Sequence, residues 1–291
     1  MKRSIAGLAA AAALALSVIH SPKVRAESYC GKLDYIVCGE SVVITGFENS
    51  PETLDIPARI DGRTVDAVRE NAFYKCGSLR SITLPDTVTS IGHHAFMGCT
   101  SLESVVINGS TRMIEEGCFS GCGKLREITL PDSVREIGKN SFYKCVSIRS
   151  LKLPEKLEVI GENSFGGCTA LESVRLPDSV IRVGDRAFFG CLKLMRVNIP
   201  DSAAELGSCS FGYSDGACRK VADMTLTGSK SSLGKAYAAD NGFGYIVTDT
   251  GGTSGIPTLP IAVVIFSGAG LMLLFIPGKL RHFRARYEYE N

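Results

Sequence analysis

Phe73, Phe96, Phe119, Phe142, Phe165, Phe188 and Phe211 recur at one constant step, with no insertion or deletion between them. Three residues behind them, Cys76, Cys99, Cys122, Cys145, Cys168 and Cys191 keep the same step. A fixed period in the twenties is the signature of a solenoid, in which every unit is one turn of a coil and buries its apolar face against the next. The expected fold is a β-rich solenoid with one coil per ~23 residues.

Within a unit the apolar spacing changes from one wall of the coil to the next. Ile82/Leu84, Ile128/Leu130, Leu151/Leu153, Val174/Leu176 and Val197/Ile199 are apolar residues two apart, the period of a strand with one face turned inward. Proline follows at 85, 131, 154, 177 and 200, where a residue without an amide hydrogen ends ladder pairing. A second apolar pair, as in Val88/Ile91, Val134/Ile137 and Val180/Val183, predicts a return along the opposite wall. Glycine at 92, 138, 161, 184 and 207 is expected to supply a position of positive φ. Phenylalanine and cysteine fill the far end.

Both ends of the chain differ from this pattern. Lys2 and Arg3 precede an uncharged Ala/Leu-rich run over 5–19, and Val24-Arg25-Ala26 follows, which reads as a secretory signal peptide over 1–26. Residues 256–277 carry no charge, enough to span a bilayer core as a helix, and Lys279, Arg281, Arg284 and Arg286 come directly after. The expectation is a transmembrane helix over 259–277 behind a linker at 248–258, with a cytoplasmic tail over 278–291 and the repeats facing outward. A wall-sorting motif is lacking, since Leu259-Pro260 continues as Ile-Ala-Val. Setting aside the bases of both ends and the two tail acids, 24 basic residues face 28 acidic ones, so the outer part is mildly acidic and no basic footprint for nucleic acid is present.

The unit over 84–102 resembles the BspA-like leucine-rich repeat of bacterial surface proteins, which reads approximately Leu-Pro-x-Ser-Val-x-x-Ile-Gly-x-x-Ala-Phe-x-x-Cys-x-x-Leu. Val43-Ile44-Thr45-Gly46 with Ile56-Pro57 resembles the N-terminal cap of that family, and Tyr237-Ala238 with Asn241-Gly242 its closing element. The resemblance covers 35–247, giving a cap at 27–60, repeats at 61–223 and a second cap at 224–247. One coil departs from it, with Asn108 in place of proline and Glu115 in place of glycine, and Ser214 replaces the last cysteine. The resemblance implies adhesion or host-facing recognition by binding other macromolecules; the alternative is an envelope component docking a resident partner.

Eleven cysteines in an exported chain would ordinarily mean disulfides. Six share one repeat position, where parallel side-chain directions disfavour bridging and an internal column of free thiols is expected. Off the column, Cys30 and Cys38 flank a hairpin expected in the N-terminal cap, and Cys209 and Cys218 lie where the repeat decays, which leaves terminal disulfides open to these four. Cys118 is a further off-column residue.

No nucleophile elbow, phosphate loop, zinc motif or dinucleotide fingerprint occurs, and His93-His94 has no matching metal partner. No catalytic residue, cofactor or metal is expected. The outward strand positions instead suit a binding face. Lys152, Arg175 and Arg196, with Arg126 and Arg149 where strands begin, form a basic stripe suited to an anionic protein patch or surface polymer. Glu103, Glu127 and Glu172 interleave with it, as on an ordinary solvated face.

Overall fold

The computed structural model describes residues 24–25, 33–48, 51–214, 219–221 and 223–248. Stacking in it is parallel and in register, with each coil contributing one strand to each of two walls. On the first wall, Thr53–Asp55, Ser81–Leu84, Ser104–Ile107 and Glu127–Thr129 form a four-stranded sheet. Ser150–Leu151, Ser173–Arg175, Arg196–Asn198, Thr225–Gly228 and Gly244–Val247 form a separate five-stranded one. On the second wall, Arg63–Val68 pairs with Ser90–Ile91, and the series resumes at Met113–Ile114 through Glu136–Ile137, Val159–Ile160, Arg182–Val183 and Glu205–Leu206. Val88, Ile91, Val134, Ile137, Val180 and Val183 are fully buried, as their spacing requires.

The third side carries no strands yet ties the coils most regularly. The amide of Phe73 donates to the Ala95 carbonyl at 2.8 Å, Phe96 to Cys118 at 2.9 Å, Phe119 to Ser141 at 2.7 Å, and so on to Phe188 and Ser210 at 2.9 Å. Their rings form one offset stack with centroids 5.0 to 5.4 Å apart. Phe47 extends the stack at the N-terminal end, 5.3 Å from Phe73. Tyr237 closes it edge-on against Phe211. That tyrosine sits on the helix Leu233–Asn241, which begins at Ser232, whose hydroxyl accepts from the Gly234 amide, and ends at Gly242 in the left-handed region. At the other end the hairpin of Leu33–Cys38 and Ser41–Phe47 covers the first coil with Leu33, Tyr35, Val42 and Ile44.

The repeat glycines do a different job from the one expected. None of Gly92, Gly138, Gly161, Gly184 and Gly207 has positive φ; a Cβ there would stand 2.3 to 2.8 Å from backbone atoms of the preceding coil. They permit close approach between coils. Positive φ falls instead on Asn71, His94, Gly117, Asn140, Asn163, Arg186 and Cys209, and on a second column that includes Lys75, Gly98, Gly121 and Lys144.

Each wall is interrupted once. The second wall breaks between Ser90–Ile91 and Met113–Ile114, at the coil where Asn108 and Glu115 stand in place of the repeat's proline and close-approach glycine. The first wall breaks between Glu127–Thr129 and Ser150–Leu151. There Ile128 and Leu130, expected fully inward, are only half-buried against the core. The phenylalanine side runs unbroken past both.

The expected membrane anchor is corrected here. Among the described residues no helix is long and apolar enough to cross a membrane. The chain separates into Met1–Asp249 and Thr250–Asn291, and the second unit, with the span expected at 259–277, lies outside the described residues, as does most of the expected signal segment. A single-pass, membrane-held topology and a partnership with the bilayer through that helix are accordingly withdrawn from the fold class, function and localisation.

Candidate binding surface

Regular pairing turns the outward strand residues into columns running from coil to coil. Leu151 pairs with Val174 and Val174 with Val197, so Lys152 and Arg175 are neighbours in one column, followed by Asn198 and Thr227. Arg196 belongs to the adjacent column, in line with Ser173 and Thr225. Arg126 and Arg149 lie in a third column, where Arg126 donates its amide to Glu103 and Arg149 accepts from the Glu172 amide. The five bases thus do not form one stripe. Lys152 and Arg175 are consecutive in one column, and Arg126 and Arg149 are consecutive in another, on either side of the interruption of the first wall; all five are exposed, and none makes an ion pair among the described residues.

Lys152 stands at the interruption of the first wall. A cleft of about 140 Å³ opens there between Ile128, Thr129, Leu130 and Asp132 on one side and Lys152, Leu153 and Pro154 on the other. A shallower one of about 60 Å³ adjoins it, lined by Leu151, Lys152, Leu153, Glu155, Arg175 and Pro177. The larger is room for about four waters or one apolar side chain. The larger has an apolar floor with Lys152 and Asp132 on its rim, and the smaller adds Arg175 and Glu155 beside it. Nothing in the repeat spacing marks this site, since the constant step runs through it unchanged.

The thiol column is present and does more than fill space. Cys99, Cys122, Cys145, Cys168 and Cys191 are buried, and each Sγ donates to the carbonyl of the phenylalanine one coil back, at 3.0 to 3.3 Å. Cys76, Cys118 and these five are free thiols. Burial pushes the thiols of Cys118, Cys145 and Cys191 well up and that of Cys168 up to about 12. Of the expected terminal disulfides, Cys38 is exposed and Cys209 half-buried, while Cys30 and Cys218 lie outside the described residues. Among the described residues no group of three or more His, Cys, Asp or Glu could hold a metal ion.

Residues 66–168 and 135–237 match the family model of the BspA type leucine-rich repeat region, in six copies. The chain belongs to the BspA-type leucine-rich repeat family. A leucine-rich cell surface protein of Faecalibacterium prausnitzii is 28% identical with a TM-score of 0.59, over 73% of this chain and 56% of that one. The chain therefore spans little more than half of that relative. A leucine-rich repeat protein of T. pallidum is 28% identical with a TM-score of 0.45, over 74% of this chain and 95% of that one. One from Bacteroides ovatus is 25% identical with a TM-score of 0.43, over 69% and 64%. No curated protein matches the chain.

Proposed function

We propose that this protein is an adhesive recognition module that binds a macromolecular partner, an acidic protein surface, across its first wall. The carrying observation is the interruption beside Lys152, where that unpaired cation stands over a half-buried apolar floor and the unpaired Arg175 lines the adjoining cleft. A partner inserting one apolar side chain between Leu130 and Leu153, with its carboxylates on Lys152 and Arg175, would bury the exposed edge of both sheets. Apolar anchoring in a small central pocket with a charged rim is how compact interfaces concentrate their energy. The likeness to a cell surface protein supports work outside the cell.

Binding of the full chain to extracellular matrix proteins and to resident envelope proteins, at low and high salt, tests this reading. Saturable, salt-weakened binding that falls at least tenfold in a Lys152→Glu/Arg175→Glu variant, and not in Arg126→Glu/Arg149→Glu, is the expected result. Equal loss in both variants would reduce the site to nonspecific charge.

A further inference from the structure

The chain segment after each phenylalanine forms a face of its own, distinct from the first wall. It comprises 74–79, 97–102, 120–125, 143–148, 166–171 and 189–194, and these six turns contain no aspartate or glutamate but four lysines, Lys75, Lys124, Lys144 and Lys193. In a chain with 30 acidic residues that absence is localised. Inter-coil amides hold the turns in line, Lys75 donating to Met97, Gly121 to Tyr143 and Gly167 to Phe189, at 2.6 to 2.7 Å. One column of side chains therefore runs Tyr74, Met97, Ser120, Tyr143, Gly166, Phe189.

The aromatics of this column are paired with cations. Lys75 Nζ lies 5.0 Å from the Tyr74 ring centroid, Lys144 Nζ 5.2 Å from that of Tyr143, and the Arg186 guanidinium 5.6 Å from that of Phe189. Tyr143 also lies against Gly166, where a Cβ would come within 3.0 Å of the ring. Lys75 and Lys144 hold φ of 55° and 59° in a column where Gly98, Gly121, Gly167 and Gly190 stand otherwise, so lysine is present at a position that favours glycine. Between the aromatics the column holds Met97, Ser120 and Gly166. Tyr74, Val146 and Leu192, among the most exposed large apolar side chains described, all fall on this face at 44%, 42% and 48%. The carboxylate nearest these lysines is Glu172, which reaches Lys193 at 3.9 Å from the first wall; Lys75, Lys124 and Lys144 have no such partner among the described residues.

We propose that this face binds a linear anionic polysaccharide, with sugar rings stacked on Tyr74, Tyr143 and Phe189 and acid groups on Lys75, Lys124 and Lys144. Flat aromatics offer their faces to the apolar faces of sugars, and Thr100 and Ser101 add hydroxyls on the same face. The aromatics recur at two and three coils, about 10 and 14 Å, so one chain can touch successive platforms and gain from multivalency. An anionic bilayer would meet the same charges, but aromatics and cations repeated along one column of successive coils suit a polymer better than a surface that requires apolar insertion.

The test is calorimetric titration of the full chain with polygalacturonate, neutral dextran and phosphatidylglycerol vesicles. Polygalacturonate should bind and dextran should not. Lys75→Gly/Lys144→Gly, which installs the residue the backbone prefers and so preserves folding, should weaken polygalacturonate at least tenfold. Tyr74→Ser/Tyr143→Ser, which copies the natural Ser120, should do the same. Lys152→Glu/Arg175→Glu should leave this binding unchanged, which separates it from the first-wall site. Insensitivity to the tyrosine substitutions would overturn the stacking, insensitivity to the lysine substitutions the whole site, and tighter binding to vesicles than to polygalacturonate the choice of ligand.

Discussion

At the residue scale the phenylalanine and the cysteine of each coil act together. The ring stacks on the ring of the next coil, and the phenylalanine carbonyl accepts the thiol of that coil, so a small polarizable side chain both fills the corner and satisfies a backbone acceptor. Raised thiol pKa values follow from this burial, and a protonated, enclosed thiol is a poor nucleophile. Iodoacetamide at pH 8 should therefore modify Cys38 in the native protein and leave Cys99 to Cys191 unlabelled until denaturant is added, as read by peptide mass mapping; native labelling of Cys145 or Cys168 would contradict the column. The repeated residues were legible because their period is constant. Phe47 was not, since one step back from Phe73 lands on Ser50, and Tyr237 joins the stack from a helix.

At the scale of elements, the second wall shows what the repeat glycine permits. Glycine lets neighbouring coils come close enough that no Cβ fits, and the ladder opens at the coil that carries Glu115 in that position. Desolvation raises the Glu115 pKa, against the opposing pull of His93, whose Nε2 lies 3.6 Å from the carboxylate, and with a further rise from Glu136. The folded state then holds the Glu115 proton to higher pH than the unfolded chain does. Its contribution to stability is present below the unfolded pKa and is lost as pH rises through the raised folded one. Glu115→Gln should flatten this part of the profile and raise the urea midpoint at neutral pH relative to the parent, measured from about pH 4 to about pH 7. Identical slopes in the two proteins would show that Glu115 titrates as it does in the unfolded chain. The departure at Glu115 was visible as a break in the repeat. The first-wall interruption had no such mark, because Ile128 and Leu130 keep the spacing of every other pair.

For the whole solenoid, stability is a sum of contacts between neighbouring coils, so a weakened interface is felt where it occurs. The two breaks lie on different walls and at different coils, while the phenylalanine side bridges both with amide bonds of 2.7 to 2.9 Å. Hydrogen exchange should accordingly find the amides of 126–130 and 149–153 opening well before those of Phe119 and Phe142 in the same coils. Uniform protection across these coils would mean that the walls close in solution and that the cleft beside Lys152 is not a standing feature.

The constant period, the inward pairs and the prolines determined the solenoid, its register and its thiol column, because in a stacked repeat each residue meets its own equivalents one coil away and local spacing is also tertiary spacing. Tertiary structure alone decided where the ladders open, and that the aromatics of the acid-free turns are paired with cations. Those outcomes depend on how far apart two coils stand and which columns share a wall, and such distances follow from the fit of side chains across the stack, of which the repeat length carries no trace.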